Sequence, residues 1–287
     1  MSVDSFIPAM WAGNLLVPHQ KALVYAQEGV INRDYEGEIA EQGDSVTINT
    51  LADPSIDSHT RNEALGTPEF MTTTEQSLIV DQAKRFHFLI DDIDKRQAAG
   101  DFATRALERA GYKLADTTDQ YVAALMAAAV PSANQIGSTA SPKTDLGTAG
   151  KAYDYLVKLG TKLDEQNVPS EGRWCIIPPW YHELLRLSGE DFIHATPGGD
   201  QVLRNGVIGE VAGFMVLKSN NVVNTSATKY KIIAGTAFAT TFADQILKVQ
   251  AYVSQSYFGD IVRGLHVYGG KVVYPNDLAM LTANKPS

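Results

Sequence analysis

A single cysteine, Cys175, is present among 287 residues, so no disulfide can form within the chain, and this fits assembly in a reducing compartment. It lies in the apolar run Trp174 to Ile177, the setting of an inert buried thiol rather than of a nucleophile. No run approaches the roughly 18 consecutive apolar residues of a membrane span. Near the start, Asp4, Pro8 and Asn14 interrupt what would otherwise be the apolar core of a leader. The sequence reads as a soluble, cytosolic product. Positive charge is scarce: 24 Lys and Arg against 33 Asp and Glu give a formal net charge of -9. A dedicated nucleic-acid binder needs the opposite surplus to displace counterions. Disorder is excluded as well, because 44% of the residues are apolar and only 20% charged.

Catalytic patterns are missing too. The histidines, His19, His59, His87, His182, His194 and His266, have no metal-ligand spacing. His182-Glu183 begins like a zinc helix motif, but Arg186 occupies the position of the second ligand. There is no Gly-x-Ser-x-Gly elbow and no phosphate loop ending in Gly-Lys-Ser/Thr. Gly198-Gly199 and Gly269-Gly270 are better read as turns or bulges. Asp91, Asp92 and Asp94 form the tightest acidic cluster and suit solvated acids at a helix start better than a cation site. No catalytic residue, cofactor or metal is expected.

What the sequence does have is a long helix, predicted over 101–130. Ala103, Leu107, Ala110, Leu114, Thr117, Tyr121, Leu125 and Ala128 recur at steps of three or four, the period of one buried stripe. Thirty residues at 1.5 Å each would make a rod of roughly 45 Å, with Asp101 as N-cap and Pro131-Ser132 as the stop. Arg105, Arg109 and Lys113 stand four apart on another face. Like charges at that spacing repel by a few tenths of a kcal/mol per pair. They form either a solvated basic face or a ridge awaiting an acidic partner. Acidic charge is concentrated upstream: residues 1–83 carry 13 acids and only Lys21, Arg33 and Arg61 as bases, so that section is -10 and the rest +1.

Residues 1–44 read as an arm, with Phe6, Trp11 and Leu15 as anchors, breaks at Pro8, Gly13 and Pro18, and a short helix predicted from Lys21 to Glu28. Val46, Ile48 and Thr50 alternate with polar residues, and a second alternating run passes from Leu78 and Val80 to Phe86, Phe88 and Ile90. With the polar stretch 52–74 between them, these predict one long β-hairpin, marginal unless it has a surface to lie on. After a boundary loop at 131–150 come a helix from Lys151 to about Glu165, with Tyr153, Leu156, Val157, Gly160 and Leu163 inward. Next are a strand at 172–177, a helix carrying Trp180, Leu184, Leu185 and Leu187, a polar loop at 191–200, a helical turn at Gln201–Arg204, and strands at 214–217 and 230–234. Residues 151–245 thus form a compact α+β unit. Leu247, Val249, Ala251 and Val253, then Leu265, Val267, Val272 and Tyr274, predict a closing antiparallel hairpin that covers the long helix.

This order of parts resembles the major capsid protein of tailed bacteriophages, the Hong-Kong-97-type fold. Gly172-Arg173-Trp174-Cys175-Ile176-Ile177-Pro178-Pro179, then an aromatic-rich helix, is similar to the family's strand into its axial domain. Gly209-Glu210-Val211-Ala212-Gly213-Phe214-Met215-Val216 followed by Ser219-Asn220, and later Phe242-Ala243-Asp244-Gln245 and Gly264-Leu265-His266-Val267-Tyr268-Gly269, resemble the stretches that come after it. The resemblance implies an N-terminal arm at 1–44 and an extended loop at 45–85. It implies a peripheral domain at 86–150 with 246–287 and an axial domain at 151–245. It further implies pentons and hexons closing into an icosahedral virion shell around double-stranded DNA, without sequence-specific binding and without a membrane. Assembly would take place in the host bacterial cytoplasm, with scaffolding, portal and decoration proteins as possible partners. An acidic to neutral container suits that role, since it must not grip its genome. No scaffold-like segment precedes the arm, so scaffolding is expected as a separate protein or not at all. Residues 45–83 contain no lysine, so a lysine to asparagine cross-link from the loop tip is not available.

The charge pattern adds a contact: the acids of the arm and loop, Asp57, Glu63 and Glu69 among them, are expected to lie across Arg105, Arg109 and Lys113 of a neighbouring copy. Two alternatives stay open. One is an encapsulin-like nanocompartment shell, and the other a soluble enzyme with a site assembled from scattered residues such as His182, Glu183 and Asp191.

Overall fold

The computed structural model describes residues 21, 23–34, 45–51, 54–59, 61–62, 67–91, 102–148, 150–187, 207–254 and 256–286. At its centre is a seven-stranded sheet whose main path runs β4 (Gln135–Ile136), β12 (Leu278–Asn284), β9 (Lys229–Gly235), β5 (Trp174–Ile177), β7 (Phe214–Lys218), β6 (Val207–Val211). The two-residue β8 (Asn224–Thr225) pairs with β9 off this path. Strands β5 and β12 are apolar on both faces because the sheet is covered on both. Trp174, Ile176, Ile233, Leu278 and Met280 face one core, and Cys175, Ile177, Ile232, Ala279 and Leu281 face another.

Helix α1 (Phe102–Ala129) supplies the first core through Val122, Ala123, Met126 and Ala127. Helices α2 (Lys151–Asp164) and α3 (Pro179–Leu187) supply the second through Leu156, Leu159, Leu163, Tyr181 and Leu185. A three-stranded antiparallel sheet, β10 (Thr240–Val253), β11 (Gly259–Val272) and β3 (Gln82–Asp91), joins the first core through Phe242 and Tyr268. The separate hairpin β1 (Ser45–Leu51) and β2 (Thr73–Ile79) roots on this sheet, where Val46, Ile48 and Leu78 meet Ala243 and Val267. Gly269 makes that crossing possible, because a Cβ there would lie 2.2 Å from the Ile79 carbonyl oxygen.

The long helix, the closing hairpin and the strand-helix series of the middle section form where the periodicity placed them. Several expectations need correction. Lys21 to Glu28 is not a helix: residues 25–30 form turns with isolated bridges, and Val24, Tyr25, Val30 and Ile31 are buried in the first core. The second arm of the extended hairpin is β2 alone, starting at Thr73. Phe86, Phe88 and Ile90 belong to β3, in the sheet of β10 and β11. The two strands share one alternating run in the sequence, but Val80-Asp81 breaks it and sends the chain into another sheet.

The stripe of α1 is also rotated. Thr117 and Ala128 are exposed, whereas Thr118, Asp119, Val122, Ala123, Met126 and Ala127 are buried. Two aspartates sit on the buried face, which a purely apolar pattern passes over. In α2, Val157 is exposed and Tyr155 and Leu159 take the inward positions. Strand β12 pairs along its length with β9, so the end of the chain crosses into the sheet of the middle section. The helical turn at Gln201–Arg204 and the loop at 191–200 lie outside the described residues.

Candidate functional site: a polar lock and a basic ridge

The buried aspartates of α1 organise a junction of three separate stretches of chain. Asp119 Oδ1 accepts hydrogen bonds from three consecutive backbone N–H groups, Val24 at 2.8 Å, Tyr25 at 2.7 Å and Ala26 at 3.2 Å. Its other oxygen accepts the Asn221 side-chain amide at 2.7 Å, and the same Nδ2 donates to Asp116 Oδ1 at 3.1 Å. Lys21 Nζ lies 2.7 Å from Asp116 Oδ1 and also donates to Asn221 Oδ1. Tyr112 receives the Lys21 backbone N–H at 3.0 Å. Helix, arm and the loop after β7 are therefore tied by one network whose buried polar atoms satisfy each other.

The electrostatics of the two carboxyls differ. Burial pushes Asp119 above the ordinary carboxylate range, opposed by Asn221 and the three backbone amides. Burial also works upward on Asp116, but hydrogen bonds from Lys21, Asn221 and Gln120 and the Lys21 charge outweigh it and hold its carboxyl below that range. A second anchor of the arm lies alongside. The Arg33 guanidinium donates to Ala26 O at 2.7 Å and pairs with Asp244 at 3.2 Å, and Asp244 in turn meets His266 Nε2 at 3.0 Å.

The ridge is where the sequence put it. Arg105 is half-buried, Arg109 and Lys113 are exposed, and Lys113 Nζ stands 3.8 Å from Asp116 with its side chain 76% exposed. Asp57 and Glu69 lie in the exposed distal part of the β1–β2 hairpin. There Ser55 donates its hydroxyl at 2.7 Å and its backbone N–H at 2.9 Å to Glu69, and these bonds hold the Glu69 carboxyl below its ordinary value. Among the described residues no ion pair joins Arg109 or Lys113 to Asp57 or Glu69 within the chain. Glu63 falls outside those residues.

Of the alternative enzyme site, only His182 and Glu183 fall among the described residues. His182 is half-buried on α3, with burial and then Lys218 and Arg186 lowering its pKa, Glu183 is exposed, and Asp191 lies outside the described residues. Asp92 and Asp94 lie outside as well, and no group of three His, Cys, Asp or Glu among the described residues could hold a metal ion. Cys175 is fully buried, which drives its thiol pKa up and keeps it protonated and inert. The lock residues Lys21, Asp116, Asp119 and Asn221 were not singled out from sequence. The available signal was two acids three apart on the apolar side of a helix.

Comparison with known proteins gives the family. The family model for phage capsid proteins matches residues 73–283. A chain solved from Mycobacterium phage Che8 is 30% identical, with 98% of each chain covered and a TM-score of 0.77. The capsid of cyanophage P-SCSP1u is 20% identical over 99% of this chain and 94% of that one, with a TM-score of 0.74. The encapsulin of Synechococcus elongatus PCC 7942 is 10% identical over 87% and 85%, with a TM-score of 0.57, a likeness of fold alone. No curated protein matches the sequence. The chain belongs to the phage capsid protein family. It has the Hong-Kong-97-type fold and is the major capsid protein of a tailed phage, a structural protein of the virion that assembles with copies of itself into a shell. No helix among the described residues is long and apolar enough to cross a membrane.

Proposed function

We propose that copies of this chain form the pentons and hexons of an icosahedral shell, assembled in the bacterial cytoplasm and closed around double-stranded DNA that it does not read. Portal, scaffolding and decoration proteins would be its partners in assembly. In this reading residues 1–44 are the arm, 45–85 the extended loop, 86–150 with 246–287 the peripheral domain, and 151–245 the axial domain. Strand β12 then reaches from the first of these domains into the sheet of the second.

The observation that carries the reading is the hairpin. All of its described residues from Pro54 to Met71 are exposed, and its acids have no basic partner in their own chain among the described residues. A marginal hairpin of this kind gains its surface from a neighbour. The ridge of Arg105, Arg109 and Lys113 on one copy receives Asp57, Glu63 and Glu69 of the next, which converts repulsion along the helix into attraction across an interface. Electron microscopy and sedimentation of the purified protein test the shell directly. Arg109→Glu should lower the yield of closed particles while leaving circular dichroism unchanged. Shells at the unmodified yield would refute the ridge contact. A nanocompartment would be distinguished by enzyme cargo recovered inside the particles in place of packaged DNA.

A further inference from the structure

The three-stranded sheet carries two exposed features at different points along its length. The first is a groove on one face. Register sets Arg85 opposite Leu265 and His87 opposite Arg263, and alternation places all four side chains on the same side. They are exposed and border a cavity of about 600 Å³. Between them runs the bare backbone of the Phe86-Gly264 pair, whose own side-chain positions face the other side of the sheet, where the Phe86 ring covers Gly264 so closely that a Cβ there would stand 2.3 Å from it. Arg263 is held in place, donating at 3.2 and 2.8 Å to Gln250 Oε1, with its guanidinium 5.1 Å from the centre of the Tyr252 ring. The groove thus sets the guanidinium groups of Arg85 and Arg263 beside Leu265 and bare strand, and one of those cations already engages an aromatic ring.

The second feature is the turn between β10 and β11. Ser254 Oγ accepts the N–H groups of Ser256 at 3.2 Å and Tyr257 at 3.1 Å, and Ser254 N donates to Gly259 O at 3.0 Å. This built turn presents Tyr257 at 67% and Phe258 at 88% exposure, beside Val253 at 72%. Large apolar side chains held out by a structured turn mark a contact surface. Five steps along the strand lead from Phe258 to Arg263, roughly 17 Å at about 3.3 Å per residue. A phenylalanine side chain does not span that distance, so the tip cannot enter its own groove.

We infer that the Tyr257-Phe258 tip of one copy seats in the Arg85, His87, Arg263 and Leu265 groove of a neighbouring copy. The aromatic rings find there what their chemistry favours: guanidinium groups over the ring faces and, beside them, Leu265 and bare strand. Repeated head to tail, a contact between different surfaces links more than two copies and closes into a ring where its rotation closes, whereas a reciprocal two-fold exchange would stop at a dimer. It rests on the shell reading for the presence of neighbouring copies, but uses none of the residues of the basic ridge.

Cysteine pairing tests it, because the native thiol is fully buried and contributes no background. Full-length Phe258→Cys and His87→Cys variants are coexpressed, oxidised with diamide and run on a non-reducing gel, and the double variant is treated alike. The expected result is an inter-chain disulfide in the mixture, a ladder of multimers in the double variant, and neither from a single variant alone. Cross-linking of Phe258→Cys with itself would mean that tips meet tips and would overturn the assignment. So would no cross-link in particles that microscopy shows to be closed. Arg263→Glu should cut the assembled fraction at least tenfold, with Arg263→Lys close to the parent and both folded by circular dichroism. Parent-level assembly of Arg263→Glu would also overturn it. If the unmodified protein forms no shells, the shell reading fails by itself, and cross-linking of its soluble oligomers still decides the contact.

Discussion

Replacing Asp119 by alanine removes the single acceptor on which three backbone amides converge, so its cost can be worked from the structure. Val24 and Tyr25 are fully buried and Ala26 is half-buried. Water therefore cannot satisfy at least two of the stranded N–H groups without opening the segment. A buried donor left without a partner costs roughly 1–3 kcal/mol. Against this, the substitution removes a carboxylate whose burial already pushes its pKa up, which returns part of the loss. A net loss of about 2–4 kcal/mol remains, or roughly 5–15 °C in Tm for a domain of this size. If the arm opens locally instead, the loss appears in hydrogen exchange as a fall in protection of roughly 30- to 1,000-fold, at about 1.4 kcal/mol per tenfold. The assay is amide exchange of the unassembled subunit, read at Val24, Tyr25 and Ala26 against the β5 and β9 amides as internal controls. Asp119→Asn should fall between the parent and alanine, since it keeps an acceptor but turns an amide donor toward Asn221 Nδ2. Protection at Val24 and Tyr25 within about threefold of the parent in Asp119→Ala would refute the argument that this carboxylate holds the arm.

Asp116 carries a pH dependence of definite sign. Its folded-state carboxyl lies below the ordinary range, so its stabilisation is fully present above the unfolded value of about 4 and fades as pH falls through the depressed folded value. Asp119, raised by burial, has the opposite sign, and its penalty eases on acidification. Asp116→Asn should thus show a deficit at pH 7 that closes toward pH 3 in urea unfolding, and an equal deficit at every pH would contradict this. Gly269→Ala should destabilise by about 1–3 kcal/mol as overpacking, because its Cβ would meet backbone on the hairpin root, the Ile79 oxygen at 2.2 Å and Val80 Cα at 2.8 Å. Gly264→Ala should cost less, since the obstacle is the Phe86 ring, which can turn. Equal urea midpoints for the two variants would be the contrary result.

How much of this was legible beforehand follows from which signal each element left in the sequence. The spine helix, α2, α3, β5, β7, β9 and the β10–β11 hairpin all have a period of 3.6 or 2, or a short apolar run bounded by turn residues, and each formed where its signal lay. Strand β12, Leu-Ala-Met-Leu-Thr-Ala-Asn, has no alternation, because α1 covers one of its faces and α2 the other. The split between β2 and β3 left only the two-residue break Val80-Asp81, too short to be told from a strand interior. The helix expected over Lys21–Glu28 does not form because the amides of residues 24–26 are taken by a side chain 90 or more residues away, a long-range competitor that no local propensity can register.

The same reasoning explains why the sequence brought out the ridge and not the lock. Arg105, Arg109 and Lys113 stand out because three like charges on one helix face are locally unfavourable, and a locally unfavourable feature calls for a partner. Asp116 and Asp119 look ordinary in a helix of mixed composition, and their position on the buried face emerges only once Lys21, the amides of 24–26 and Asn221 have been brought together. A buried polar junction of this kind contributes little net free energy relative to an apolar core, but a misaligned arm or loop would leave charged groups without partners. The lock therefore acts mainly on geometry, fixing where the arm leaves the helix and how the loop after β7 sits against it. Within each chain the lock holds the backbone of residues 24–26 and the Asn221 side chain in one relation to the helix, and a neighbouring copy meets that arrangement.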